Sequence, residues 1–141
     1  MKPNNTFIKH KLNAYTLTEI LVVLVIIGII ILIALPNLLP LITKAKALEA
    51  KGQLGFIHTL EKNYFYENSR YTTDLTELGF IQEKLTTEGK DGRANYRIEI
   101  TSATTTTFTA KATAVVDFNG NEKFNVWEIN QDKTLHEVTP D

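Results

Sequence analysis

Hydrophobic and polar positions fall into three regimes along this chain. Between residues 20 and 42 no side chain is charged, and fourteen of the sixteen residues in 20–35 are Leu, Ile or Val, Gly28 and Ala34 being the others. A run of this length crosses a bilayer as a helix. Beyond it, Leu41, Ala45, Leu48, Gly52, Phe56, Leu60 and Tyr64 recur at three- and four-residue spacing. Lys44, Lys46, Glu49, Lys51, Glu61 and Lys62 fall mostly off that stripe. Pro36 and Pro40 each remove a helical hydrogen bond, a defect that neighbouring helices absorb. The spacing predicts one helix from Thr16 to about Tyr66, on the order of 75 Å long at 1.5 Å per residue. Its first half is membrane-embedded and its second half amphipathic. Tyr64, Phe65 and Tyr66 are expected in the core beneath a sheet.

The third regime has period two. Residues 67–93 are rich in turn formers, with a capped single turn expected at 73–79 and a second turn at Gly89, Asp91 and Gly92. Tyr96, Ile98 and Ile100 then point one way while Arg97 and Glu99 point the other. Phe108, Ala110, Ala112, Ala114 and Val116 form a second alternating run. Asn119–Gly120 reads as a hairpin turn, 124–129 as a third strand and 134–138 as a fourth. The threonines at 104–107 suit an exposed strand edge, with glycosylation a weak option on composition. The fold class is α+β: a long N-terminal helix packed against a four-stranded antiparallel meander.

Composition narrows the function. The chain has 141 residues and a net charge of -1, which leaves no electrostatic footprint for nucleic acid. The leader MKPNNTFIKHKLNA holds Lys2, Lys9 and Lys11 without an acid, leaving twelve basic side chains against sixteen acidic ones in the remainder. With no cysteine, disulfides and thiolate metal sites are excluded. His10, His58 and His136 have no metal-ligand spacing, His58 being read as a solvated helix residue. Ser69 and Ser102 lack a nucleophile elbow, and no phosphate-binding glycine loop occurs. No catalytic, cofactor or metal site is expected, and the chain does not read as an enzyme.

The apolar run favours insertion by about 0.3–0.6 kcal/mol per Leu, Ile or Val, roughly 4–8 kcal/mol in sum, which outweighs one acid at its edge. The basic leader then stays cytoplasmic, although Lys44, Lys46 and Lys51 weaken that bias. A cleaved secretory signal ending near Ala45–Lys46–Ala47 is the plainer reading, but the apolar run is longer than a signal's and is fronted by Glu19. A simple anchor leaves Glu19 without a reason. A glutamate at the head of an apolar helix needs a cationic partner, and Lys11 and Lys44 are both distant in sequence. A new N-terminus just before Tyr15 would supply one, through the α-amino group of a neighbouring subunit.

The stretch AYTLTEILVVLVIIGIIILIALP resembles the prepilin signature of type IV pilins and type II secretion pseudopilins. The resemblance implies cleavage between Ala14 and Tyr15 by a prepilin peptidase, with N-methylation at Tyr15. Glu19 then falls at the family's assembly glutamate, and Gly28 and Pro36 at its helix-loosening positions. Two departures are Ala14, where glycine is usual and cleavage is expected to slow, and Thr18 in place of an apolar residue. The phrase YFYENSRYTTDLTELG looks like the segment following the helix in many pilins. Asp117, Asp132 and Asp141 do not match a calcium loop of the kind pseudopilins carry, and the disulfide-closed loop of many pilins is absent.

The resemblance implies a pilin-like fold with a leader at 1–14, a transmembrane and assembly helix at 15–42 and a globular domain at 43–141. Within that domain the loop covers about 67–93 and the sheet about 94–138. The expected function is a structural subunit polymerising into an extracytoplasmic helical filament. A type II secretion pseudopilin is the alternative, and a minor pilin binding DNA or a surface ligand the weaker one. Lys84, Lys90, Arg93 and Arg97 are too few for a DNA-binding stripe. Implied partners are further copies of the chain, other pilins, the prepilin peptidase, an inner-membrane assembly platform and, before assembly, lipid. The implied location is the inner membrane, single-pass with the N-terminus cytoplasmic, and then a periplasmic or surface filament.

Overall fold

The computed structural model describes residues 15–140. Helix α1 runs Leu17–Asn68, and two compact units divide after Pro36. Strands β1 (Tyr96–Ala103), β2 (Phe108–Ala114), β3 (Val126–Asn130) and β4 (Leu135–Thr139) form one antiparallel sheet in the order β1-β2-β3-β4. The α+β meander is the architecture that the apolar patterning predicts, and the helix ends within two residues of its expected limit.

The face of α1 that meets the sheet departs from the expected stripe, of which Leu60 and Tyr64 pack against the core while the earlier members lie outside it. Thr43, Ala47, Ala50, Leu54, Ile57 and Glu61 are buried, whereas Leu41, Leu48 and Phe56 are 59%, 67% and 54% exposed. Both sets obey three-and-four spacing, and they differ by a rotation about the helix axis. The sheet decides between them. Its inner face on β2 is Phe108, Ala110, Ala112 and Ala114, mostly small side chains that receive Leu54 and Ile57 from the helix. Tyr64 and Phe65 pack against this core as expected, but Tyr66 does not and is 79% exposed. His58 is half-buried rather than solvated, with its ring 5.9 Å from that of Phe108 and Nε2 3.2 Å from the Gln131 carbonyl.

Strand alternation holds for β1 and β2, with Tyr96, Ile98 and Ile100 inward and Arg97 and Glu99 outward. Two connections differ from expectation. Val116 lies beyond β2, and β3 begins at Val126 rather than Phe124. Asn119–Gly120 is therefore no two-residue hairpin but part of a longer loop, 115–125. That loop is organised by Asp117, whose carboxylate accepts the amides of Asn119, Gly120 and Glu122 at 3.1, 2.6 and 2.7 Å. The 104–107 threonines form the β1–β2 turn itself, closed by Thr104 N–H to Thr107 O at 2.8 Å, with Thr104 Oγ1 accepting the amides of Thr106 and Thr107. The capped turn forms as predicted: Asp74 Oδ1 accepts the Thr76 amide at 2.8 Å, and Gly79 closes it at φ +70°. Gly92 packs so closely on the Leu85 carbonyl that any Cβ there would overlap it.

Polar side chains set the register of helix, loop and sheet. Glu49 on α1 accepts both the amide and the side-chain amide of Asn95, at 2.7 and 2.6 Å, just before β1. Gln82 donates to Tyr96 O and accepts from Ile98 N–H, occupying the outer edge of β1 as a strand would. Asn125 is fully buried, and its Oδ1 accepts Tyr96 O–H and Trp127 Nε1–H at 2.8 and 2.7 Å. Its Nδ2 donates to Glu137 Oε1 and Thr139 O at 2.6 and 3.1 Å. One side chain thus ties β1, β3 and β4 together, with all four of its hydrogen-bonding positions used. Asn125→Leu is expected to remove the hydrogen bonds that the Tyr96 hydroxyl and the Trp127 indole donate to Asn125, and to cost about 2–4 kcal/mol of stability. Unfolding followed through Trp127, the single tryptophan, reads this directly.

Glu61 is the exception among these polar groups. It is buried on the sheet-facing side of α1, where Oε2 accepts the Thr72 amide at 3.3 Å and Oε1 has no hydrogen-bond partner. Burial pushes its carboxyl up to about 7, with the Thr72 amide partly opposing the rise. A raised folded value means that the native state holds the proton more tightly than the unfolded chain. Stability is then fullest below the ordinary value of 4.5 and falls as pH rises to about 7. Glu61→Gln keeps the Thr72 contact and removes the charge. Above neutral pH it is expected to be more stable than the parent by about 1–3 kcal/mol, with little difference in mild acid, as measured by melts across pH.

Candidate assembly site

Among its described residues, the first unit is an apolar helix whose side chains are exposed. In the most apolar eighteen-residue stretch of α1 no residue is buried within the chain. The start of the helix is nevertheless well built. Thr16 precedes it, and the Glu19 amide donates to Thr16 Oγ1 at 3.2 Å. In return, Glu19 Oε2 accepts the Thr16 amide at 2.7 Å and the Thr16 hydroxyl at 2.9 Å. This is a reciprocal capping box, written in the chain as Thr16–Leu17–Thr18–Glu19. Its signature, threonine followed three residues later by glutamate, is present in the residues themselves.

The cap changes the account of Glu19. The carboxylate is not short of hydrogen bonds, because its own helix provides them through Oε2. It does lack a countercharge: among the described residues no cation pairs with it, and Oε1 accepts no hydrogen bond. In water that is unremarkable. In a low-dielectric surrounding, hydrogen bonds from a neutral amide and a hydroxyl leave the charge itself uncompensated.

Of the remaining sequence-derived positions, Tyr15 lies immediately before the cap and is exposed. Ala14 lies outside the described residues. Gly28 sits within α1 where a Cβ would touch nothing, so no contact inside the chain requires glycine there. Pro36 lies within α1 at the boundary between the two units. Tyr15 lies two residues ahead of α1 and Glu19 in its first turn, and the structure does not bring Gly28 or Pro36 to them.

On the second unit, the outward face of the sheet carries charges of alternating sign. Glu99, Lys111, Glu128 and His136 are cross-strand neighbours over all four strands. Lys111 Nζ lies 3.3 Å from Glu128 Oε1, and His136 Nε2 lies 3.5 Å from Glu128 Oε2. Along Glu99, Lys111 and Glu128 the ladder alternates in sign rather than presenting one sign. Asp117 is committed to loop amides, Asp132 sits in the β3–β4 turn, and Asp141 lies outside the described residues. Among the described residues no three His, Cys, Asp or Glu side chains are placed to share a metal ion.

A capped apolar helix that continues into an amphipathic half bearing a small antiparallel meander is a pilin-like subunit in its fold. Comparison with known proteins agrees. Residues 39–123, more than half of the chain, match the family described as type IV minor pilin ComP, DNA uptake sequence receptor. Residues 10–35 match the prokaryotic N-terminal methylation motif. The chain belongs to this type IV pilin family. Among curated relatives, it is 39% identical over 72 residues to the type IV major pilin protein PilA of Myxococcus xanthus (strain DK1622), covering 51% of this chain and 33% of that protein. It is 33% identical over 79 residues to the type II secretion system core protein G of Dickeya chrysanthemi, covering 56% of this chain and 52% of that protein. The matched region thus spans about a third and about half of these relatives. The matched proteins are named as pilins and a secretion-system core protein, not as enzymes.

Proposed function

We propose that this chain is a structural subunit of an extracytoplasmic helical filament. It is held in the inner membrane by the first half of α1 with its N-terminus cytoplasmic. A prepilin peptidase cleaves it between Ala14 and Tyr15 and methylates the new terminus, and an inner-membrane assembly platform then feeds it into the filament. The observation that carries this reading is the uncovered apolar helix headed by Glu19. Capping satisfies the hydrogen bonds of that carboxylate, and only a cation satisfies its charge once the helix enters a bundle. The α-amino group of a neighbouring Tyr15 is a cation that processing itself would create. Gly28, with no contact to serve inside the chain, gives neighbouring helices a place of close approach.

The named relatives leave two routes for such a filament, a surface pilus and a secretion pseudopilus, and surface fibres seen by electron microscopy favour the first. The family description also names a DNA uptake sequence receptor. The acids Glu99 and Glu128 flanking Lys111 on the outer sheet face argue against that surface as a phosphate-binding stripe.

Two measurements test the proposal. The mature N-terminus, read by mass spectrometry, is expected to be methylated Tyr15; assembled material starting at Leu48 or retaining Met1 would refute the processing scheme. Glu19→Ala is expected to insert into the membrane normally and to be lost from filaments. Incorporation at the parental level would remove the charge-pairing mechanism.

A further inference from the structure

The second unit carries a concave site at one end of its helical segment and an unmatched projection at the other. The concavity is a groove of about 470 Å³ beside the start of that segment, with Ala47, Leu48 and Trp127 forming much of its wall and Lys44, Lys51 and Glu137 supplying its charge. Its aromatic wall is held in place: Asn125 fixes the Trp127 indole nitrogen, and Lys51 Nζ lies 4.2 Å from the ring centroid. Leu48, left out of the core by the helix face that the sheet selects, stands 67% exposed at the same groove.

The projection is Tyr66 and Glu67, in the last turn of α1. Tyr66 is 79% exposed, and Glu67 is exposed with no hydrogen bond or ion pair for its side chain among the described residues. That turn contains no basic residue. An acid at a helix C-terminus faces the negative end of the helix dipole, so Glu67 is placed against its own local interest. An aromatic ring beside an unpaired acid complements an aromatic, apolar groove carrying two lysines and one acid.

We propose that the Tyr66–Glu67 end of one copy of this chain docks into the Lys44–Leu48–Trp127 groove of a second copy. The tyrosine packs on Leu48 and Trp127, and the acid pairs with Lys44. Lys51 and Tyr66 lie about 22 Å apart along the helix at 1.5 Å per residue, so groove and projection do not meet within one molecule. A contact between two different patches is heterologous and leaves a free groove and a free projection at each step, which propagates a chain of subunits instead of closing a dimer. This inference rests on the filament reading above and specifies the contact between the globular parts.

The absence of cysteine makes the test direct. A Leu48→Cys/Tyr66→Cys double variant of the full chain, assembled in cells and mildly oxidised, is expected to give a ladder of covalent oligomers on non-reducing gels. Neither single variant is expected to give a ladder. Filaments of the double variant that show no more cross-linking than the singles, or a Leu48→Cys adduct to some other protein alone, overturn the proposal. If the double variant does not assemble, charge exchange decides. Glu67→Lys suits the helix end locally, so a several-fold loss of filament from it is not misfolding, and adding Lys44→Glu is expected to restore the yield. Absence of rescue overturns the docking contact. Parental chain that never enters a filament refutes the filament reading instead.

Discussion

The first unit is governed by an apolar helix whose side chains, among the described residues, stay exposed. A helix of this kind satisfies its backbone hydrogen bonds internally but leaves its side-chain surface to the surroundings, whether lipid or other helices. The reciprocal bonds of Thr16 and Glu19 close the one weak point in that arrangement, the unpaired amides of the first turn. They do so with a charged group, and among the described residues no cation answers that charge. Hydrogen bonding and charge neutralisation are separable, and at Glu19 the described residues provide the first without the second. The proposed neighbouring subunit would supply the second.

The second unit is stabilised differently. Its core is thin, built where Ala50, Leu54 and Ile57 meet the alanine-lined centre of the sheet. A small core of this kind leaves alignment to polar groups. Asn125 joins β1, β3 and β4, Glu49 holds the loop ahead of β1, and Gln82 covers the β1 edge. Glu61 is the costly member of the set, a carboxylate drawn inward by a helix face that otherwise suits the sheet. Its burial makes the stability of the domain respond to pH near neutrality.

Much of this was legible in the residues. The uncharged run of 20–42, the alternation in β1 and β2 and the Asp74–Gly79 turn are local patterns, and local chemistry decides them. The capping box at Thr16 is equally local, since it rests on the three-residue spacing between a threonine and Glu19. The helix face was not legible in the same way. Leu48 and Phe56 fit the period as well as Leu54 and Ile57 do, and spacing alone does not choose between adjacent stripes on a helix that is apolar around much of its circumference. Asn119–Gly120 misled for a related reason. The pair suits a tight hairpin, but Asp117 captures the surrounding amides and stabilises a longer loop.

The sequence by itself determined the element order, the long apolar helix and the acid at its start, because these depend on hydrophobicity and spacing within single elements. The tertiary structure alone decided which side of α1 faces the sheet, and hence that Glu61 is buried while Leu48 and Tyr66 are left outside. Those outcomes depend on the shape of a partner surface, here a strand of alanines, whose fit to the helix is a property of two distant segments together.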